Sequence, residues 1–567
     1  HYASDMVWSE RPSMKKFYLV SASIILLGLG VRLYIALRWP DDEPDDGRVY
    51  ALIARNILDR HVYSIETDDP VSPTYIRVPG YPIFLAGVYK VFGHDNNRAV
   101  RIIQVVVNTA ACLLVALLAY AWAPAKWDEN KRRRAFLIAL ALAAACPATL
   151  IYVTVILTET WAVFFITLSV LAGAYALKAQ TRRSELAWWL CCGAAGGAAT
   201  MMRPDSAIFV GAVGVSMVVL RMAPVIRILR RRQSAQPVSR LWRPAAMTVL
   251  VGGLALSAGF AAVLTPWTIR NARVFHQFQP IAPEGAGMPG EFAYAGYISW
   301  LKTWVTDQKW VEVAEWGLDY TKIHVQQLPD SAFDSSEEKD RVAALLAVYN
   351  KEPVGGEPEI APKPKSPDPG SDDDDDSSGD DDSDDAAPQS TNPTHHGVEL
   401  DVQMTPDLDA QFGEIARERR ARHPFRTYVS LPLLRALSMW FDTHSQYYPF
   451  QGELFPLAKL DRELHQQIWL PLFALITVLY SVIAAAGVVV LMVGKGSRRW
   501  VLLLALLTLP RLAFLSTLEN PEPRYVVEIF PFVAAVGAIA LATVDPSRLR
   551  GWFHMKDRPA ASPAKPG

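Results

Sequence analysis

The stretch QIWLPLFALITVLYSVIAAAGVVVLMVG (Gln467–Gly494) contains no charged side chain. A helix needs roughly 20 mostly apolar residues to cross the hydrocarbon of a bilayer, so this run is long enough to span one. Nine further apolar runs stand around it, at 17–37, 100–122, 135–156, 160–178, 186–201, 205–221, 245–265, 500–517 and 527–544. The chain of 567 residues is 51% hydrophobic, with a formal net charge of −1 and a positive mean hydropathy. That composition excludes an ordinary soluble enzyme, and the near-zero charge gives no reason to expect a nucleic-acid partner. The expected fold class is an all-α polytopic membrane protein with about ten transmembrane helices.

The first run follows Lys15 and Lys16 and lacks a small-residue cleavage site, so it reads as an uncleaved anchor. Cys112, Cys146, Cys191 and Cys192 all fall in apolar runs and read as small packing residues, not a disulfide framework. The connecting segments separate by charge. AKWDENKRRR, KAQTRRS, RMAPVIRILRRRQSAQPVSRLWR, KGSRR and the tail from 545 to 567 are basic, as cytoplasmic loops are. The loop after Trp39, the turn TET, RPDS, the segment 266–466 and LENPEPRY form the other set. With ten crossings the two sets alternate, which places both termini in the cytoplasm.

The domain reading follows. Residues 1–265 form a membrane module that includes a first outer loop at 38–99. Residues 266–466 form a large outer segment, and 467–544 hold the last membrane helices. Within the outer segment, ten aspartates between Asp372 and Asp385 stand among Ser, Gly and Pro, a composition that cannot bury a core. Residues 352–398 are therefore expected to be a disordered linker, a solvated spacer before a calcium site. SSEEKDRVAALLAVYNK (335–351) and the long stretch 408–441 flank it as amphipathic helices, the latter expected to lie along the membrane interface. Asn392 precedes a proline, so no glycosylation acceptor stands on this side. A bacterial inner membrane facing the periplasm suits that absence.

The outer segments also hold the groups that can do chemistry. Asp41, Asp42, Glu43, Asp45 and Asp46 precede an amphipathic stretch containing Tyr50. RVPGYP supplies Arg77 and Tyr81; Glu159, Arg203 and Arg270 stand at helix junctions, and Arg524 with Tyr525 lies in NPEPRY. One interfacial arginine is ordinary, since arginine anchors helix ends. Several beside a carboxylate cluster call for an anion between them, and a lipid phosphate lies at that depth. Phosphate joined to a sugar is already a good leaving group, so the remaining task is to deprotonate an incoming hydroxyl. One carboxylate can do that, and neighbouring carboxylates would raise its pKa and make it a better base.

DDGRVYALIARNIL, YIRVPGYPIFLAGVYKVFG, LTETW, MMRPD, TPWTIRNARVF and EPRYVVEIFPF occur in that order. Together they resemble the motifs of GT-C glycosyltransferases of the protein O-mannosyltransferase and aminoarabinose lipid A transferase type. The resemblance runs through most of the chain and implies a polyprenyl-phosphate-sugar donor and a lipid, protein or glycan acceptor. It puts the general base on Asp46, with a register one residue earlier, on Asp45, as the alternative. It makes Glu159 a second acidic site residue that binds acceptor or sugar. Arg77, Arg270 and Arg524 become candidates for the lipid phosphate, Tyr81 for the sugar pocket, and Tyr50, Arg203 and Tyr525 for substrate contacts. A direct displacement would invert the anomeric carbon. The acidic insert is not a feature of that family.

Each residue also has a plain structural reading. Asp46 can be a solvated loop residue, Glu159 a helix cap, and the arginines interface anchors, with Arg203 paired to Asp205. The glycine of PGYP can serve a turn that needs an unusual dihedral. Arg32, within the first membrane run, reads as structural. Clustered acids can hold Mg²⁺ or Mn²⁺, which distant oligosaccharyl transferases of this class use; the closer type implies no catalytic metal, and none is expected here. The competing classes are a secondary transporter or lipid flippase, which would place its charges near the midplane, and an assembly scaffold built on the acidic tract.

Overall fold

The computed structural model describes residues 5–38, 45–230, 238–283, 288, 292–353, 402–443, 445, 447–448, 464–494 and 496–544. Asp41, Asp42, Glu43, the Asp45 side chain, the acidic tract 372–385 and the tail 545–567 lie outside the described residues. Among those described, every regular element is helical. The chain divides into two compact units, His1–Ala293 with Thr306–Gln308 and Pro432–Gly567, and Tyr294–Val305 with Lys309–Leu431. The second unit lies within the stretch 266–466.

The first unit opens with α1 (Asp5–Arg38), α2 (Asp45–Asp59), α3 (Gly80–Phe92), α4 (Asn97–Trp122), α5 (Glu129–Ala145) and the short α6 (Pro147–Leu150). It continues through α7 (Glu159–Lys178), α8 (Arg182–Met202), α9 (Ala207–Arg230) and α10 (Val238–Phe275). Side-chain oxygens of Asn96, Asp128 and Thr181 accept from free backbone N–H groups at the starts of α4, α5 and α8. The second unit contributes α11 (Ala295–Leu301), α12 (Gln308–Ala314), α13 (Ser336–Tyr349) and α14 (Pro406–Arg422). The chain then forms α15 (Leu431–Phe441), α16 (Leu464–Val493), α17 (Arg498–Leu515), a 3₁₀ turn over Pro523–Ile529, and α18 (Phe530–Leu541).

Among the described residues, seven helices are long and apolar enough to cross a membrane, or eight if α5 and the segment after it, bent by 56°, count as one. The expected runs at 186–201 and 500–517 fall below that standard. In α8 the reason is Glu185 together with the tryptophans and glycines, and in α17 it is Arg498, Arg499 and Arg511. Both still run the height of the bundle. Arg203, just past the end of α8, bonds Glu159 at the first residue of α7. At the other end Trp500 of α17 stacks on Trp122 of α4 with centroids 6.0 Å apart, and Lys178 of α7 donates to the Ala121 carbonyl at 2.6 Å. The bundle thus has one end ringed by Lys178, Arg132 and Arg499 and an opposite end that collects the candidate residues.

Small residues let the helices close. A Cβ at Gly193 would stand 1.9 Å from the Leu256 carbonyl oxygen, and one at Gly259 2.2 Å from that of Leu190. Hydrocarbon gives no hydrophobic drive between helices, so such backbone contact supplies the packing instead. Arg32 is 1% exposed and donates to Asn108 Oδ1 (2.7 Å) and to the carbonyls of Ala143 and Ala144 (3.2 and 2.9 Å) in the last turn of α5. Those carbonyls have no partner within their own helix. Arg32 ties α1 to α4 and α5, the structural role its position suggests.

After α6 comes a 3₁₀ turn over Ile151–Val153 and then irregular chain as far as Thr158, whose backbone groups need other hydrogen-bond partners. Gln104 of α4 donates to the carbonyls of Val153 and Val155 (3.0 and 2.9 Å), Arg101 to that of Thr154 (2.9 Å), and Thr160 Oγ1 to that of Tyr152 (2.9 Å). The irregular segment is held, and it delivers Glu159 to the start of α7.

The glycine of PGYP answers a different need from an unusual dihedral. Gly80 begins α3, and a Cβ there would lie 2.4 Å from the Met201 carbonyl oxygen of α8. Gly80→Ala must push α3 away from α8 and carry Arg77 with it. The expected cost is about 1–3 kcal/mol, read as a lower midpoint of thermal unfolding in detergent, with turnover falling further than stability.

The second unit has its own core of Tyr297, Trp300, Trp304, Leu345, Leu346, Phe412 and Ile415. Asp409 accepts from the N–H groups of Gly296 and Tyr297 (3.0 and 2.8 Å) at the start of α11. Arg419 is 2% exposed and pairs with Glu338 and with Asp334 (3.2 Å). This corrects the reading of 408–441 as one interfacial helix. The stretch breaks at His423, and Leu408, Phe412 and Ile415 of α14 face the core of the unit.

Candidate functional site

Asp46 is the second residue of α2, where a carboxylate is favoured by the partial positive charge of a helix start. Arg77 precedes α3, and its backbone is fixed by Tyr63, whose hydroxyl donates to the carbonyls of Arg77 and Val78 (3.1 and 3.2 Å). Arg524 comes from the 3₁₀ turn before α18, more than 400 residues along the chain. The three meet. Asp46 Oδ2 accepts from Arg524 Nη2 at 2.8 Å, and Asp46 Oδ1 from Arg77 Nη2 at 3.4 Å. Arg524 Nη1 donates to the Tyr447 hydroxyl at 2.6 Å.

A second set of ions stands behind the first. Arg203 pairs with Glu159, and its Nε lies 3.2 Å from Glu528 Oε1 and 3.6 Å from Asp205 Oδ1. Arg511 pairs with Glu528 and holds Asp205 Oδ2 at 3.0 Å. The Tyr525 ring joins the sets, lying 5.3 Å from the Arg203 guanidinium and 5.2 Å from that of Arg524.

Exposure separates the roles. The side chains of Asp46 and Arg77 are 27% and 28% exposed, and that of Arg524 13%, whereas Glu159 and Glu528 are at 1% and Arg511 at 0%. Asp46, Arg77 and Arg524 can touch a ligand. Glu159 is buried and neutralised by Arg203, which makes it a support for the site and not the acceptor-binding acid that the sequence reading expected. The electrostatics of Asp46 also differ from expectation. Burial pushes its carboxyl up, but Arg524, then Arg77 and Arg203, more than offset that and hold it below the usual range. Tyr50, buried and beside Asp46, is pushed up to about 12.

The remaining expected residues fall outside this pair of ion sets. Tyr81 is fully buried against Tyr50, and its hydroxyl donates to Gln104 Oε1 at 2.8 Å. It therefore braces the irregular segment and does not line an open sugar pocket. Arg270 donates to the Thr74 carbonyl at 2.8 Å and lies among Trp267, Tyr63 and Phe275. That contact ties Arg270 to the segment that carries Arg77, outside the two ion sets. The register alternative, Asp45, has its side chain outside the described residues.

Sequence reasoning missed Arg511, Glu528, Tyr447 and Tyr152. An ionisable residue inside an apolar run is a warning by itself, and Arg511 in LPRLAF and Glu528 in YVVEIF carried it. Tyr447 follows an unremarkable polar stretch and gave no signal. Tyr152 is 1% exposed, packs beside Tyr447 with ring centroids 6.4 Å apart, and its hydroxyl has no hydrogen-bond partner among the described residues. Among the described residues no group of three His, Cys, Asp or Glu side chains stands close enough to hold a metal ion.

No protein-family model matches this chain, and no curated protein matches its sequence. Among solved structures, it is similar to the archaeal oligosaccharyltransferase AglB from Archaeoglobus fulgidus, solved with an inhibitory peptide and a dolichol-phosphate. That likeness has 11% identity and a TM-score of 0.44 and covers 97% of this chain and 53% of the other. The chain thus spans about half the length of AglB. It is also similar to ArnT from Cupriavidus metallidurans bound to undecaprenyl phosphate, at 12% identity and a TM-score of 0.33, over 93% of this chain and 78% of that one.

Proposed function

We propose that the chain is a membrane glycosyltransferase of GT-C type, moving a sugar from a polyprenyl-phosphate donor to a hydroxyl or phosphate acceptor on a lipid, protein or glycan. One observation carries the reading: a partly exposed carboxylate, Asp46, is set between two arginines drawn from distant parts of the chain. The six-motif resemblance puts the catalytic aspartate of that family on the same residue.

In the proposed reaction the acceptor oxygen attacks the anomeric carbon while its proton passes to Asp46. The bond from that carbon to the phosphate oxygen breaks, and the phosphate leaves with the electron pair. Arg77 and Arg524 neutralise the charge gathering there. The displacement inverts the anomeric carbon. The ring of basic residues at the opposite end of the bundle favours a cytoplasmic position for that end. This supports a reading in which the site faces the periplasm across a bacterial inner membrane, with both termini in the cytoplasm.

The partly exposed carboxylate and arginines gather at one end of the bundle, which favours transfer over transport or lipid flipping. We further propose a metal-independent reaction, because among the described residues Asp46, Glu159 and Glu528 are each committed to arginine. Turnover in chelator is expected to equal that in added Mg²⁺ or Mn²⁺, and activity that collapses in chelator and returns with Mn²⁺ would reverse this. The function is tested by mass spectrometry of membrane lipids and periplasmic glycans from a strain lacking the gene. The expected result is one missing sugar substituent, restored by the wild-type chain. Identical profiles with and without the gene would discard the reading.

A further inference from the structure

We propose that Asp46 holds the place of the donor phosphate on Arg77 and Arg524, so that donor binding is also the step that frees the base. This rests on the reading of the chain as a polyprenyl-phosphate-dependent transferase and adds an order of events to it.

The geometry is specific. Each carboxylate oxygen of Asp46 faces a different guanidinium, Oδ1 toward Arg77 and Oδ2 toward Arg524. Two oxygens of a phosphate use the same donors in the same way, since a guanidinium pairs with carboxylate and phosphate through one planar arrangement. Arg524 is oriented independently of Asp46. Its Nη1 is fixed on the Tyr447 hydroxyl, and its plane lies over the rings of Tyr447 and Tyr525 at 4.8 and 5.2 Å. Arg203, the other nearby cation, is committed to Glu159, Glu528 and Asp205. A phosphate that arrives therefore competes with Asp46 for Arg77 and Arg524.

The competition has a chemical consequence. While both arginines rest on Asp46 its carboxyl is held below the usual range and is a poor proton acceptor. A phosphate that draws them away removes the cause of that depression. Burial then acts on a carboxylate with less positive charge beside it, and its affinity for a proton rises. The base gains strength only when the leaving group is in place. An acceptor arriving first meets a weak base and no leaving group, which protects the site from unproductive proton transfer.

The test is a binding measurement, independent of turnover. Full-length wild type and Asp46→Asn, in nanodiscs, are titrated with undecaprenyl phosphate, and with neutral undecaprenol as control. The amide keeps the size of the carboxyl but gives up its charge. Charge-assisted hydrogen bonds are the stronger ones, so weakening the competitor should tighten binding by about tenfold or more, with no gain for undecaprenol. In an Arg524→Gln background the gain from Asp46→Asn should shrink, which a general effect on folding would not produce. Undecaprenyl phosphate binding that is equal or weaker in Asp46→Asn, with wild type binding normally, overturns the proposal. A wild type that does not bind undecaprenyl phosphate overturns the functional reading beneath it instead.

Discussion

Asp46→Asn is expected to lower sugar transfer by about 10²–10⁴-fold, the usual contribution of a positioned general base, while the protein stays folded and inserted. The asymmetry follows from where the residue sits. Its side chain is partly exposed at the start of α2, and nothing in the packing of Ala51, Ile53 and Ala54 on that helix depends on its charge. The amide still accepts from Arg77 or Arg524 through its remaining oxygen, so the architecture loses little. What it cannot do is take a proton. The pH profile adds a second readout. Because the arginines hold the Asp46 carboxyl below its usual value near 3.9, the free enzyme keeps its base ionised as pH falls through that value. The acid limb of kcat/KM should lie below about pH 4. The sign for stability is the same: the lowered carboxyl stabilises the fold above its unfolded pKa, and that contribution is lost only as pH falls through the folded one. Measurement of transfer and of thermal unfolding on one preparation separates the two. A folded Asp46→Asn chain that transfers at the wild-type rate removes Asp46 from the chemistry.

The parts of this arrangement legible in the sequence are those that depend on local composition. Apolar runs longer than a bilayer is thick mark α1, α4, α10 and α16 directly, and the acid beside Gly47 and Tyr50 marks the start of α2. Arg77 and Arg524 were legible as interface arginines of the same face, but their meeting at one carboxylate was not. That contact depends on α17 and the 3₁₀ turn bringing the end of the chain back beside its beginning, a property of topology that no window of sequence carries. The opposite failure concerns Glu159 and Arg270. Both have the residue type and depth of ligand-binding groups; in the structure Glu159 is buried against Arg203, and Arg270 bonds the Thr74 carbonyl, away from Asp46. The pKa of Asp46 failed for a related reason. From sequence, four neighbouring acids were the conspicuous charges; among the described residues the charges that touch Asp46 are Arg77 and Arg524, cations from elsewhere in the chain. The second unit was misread because α14 is rich in arginine and looks like a membrane-surface helix, while Arg419 is spent inside the unit on Glu338 and Asp334.

Arg511 should matter most for stability. It is fully buried in α17 between Asp205 and Glu528, with the ring of Phe209 4.9 Å from its guanidinium. Arg511→Met keeps much of the volume and removes the charge. Glu528 and Asp205 are then left with Arg203 as their common partner, and Arg203 already serves Glu159. Removing one member of a buried ion pair costs about 3–5 kcal/mol because it strands the other, and two carboxylates are stranded here. A large fall in the midpoint of thermal unfolding in detergent is expected. Transfer should fall too, because Arg203 drawn toward the stranded acids shifts the Tyr525 ring that it shares with Arg524. The second variant, Arg511→Met with Glu528→Leu, discriminates. Removing the ion and its closest counter-ion together leaves Arg203 on Glu159 and Asp205, so most of the lost stability should return, and the two substitutions should be far from additive. If instead the double variant unfolds earlier than Arg511→Met alone, the charges do not act as a pair. The turn over Pro523–Ile529 would then be held by apolar packing, and the fixed position of Arg524 would need another cause.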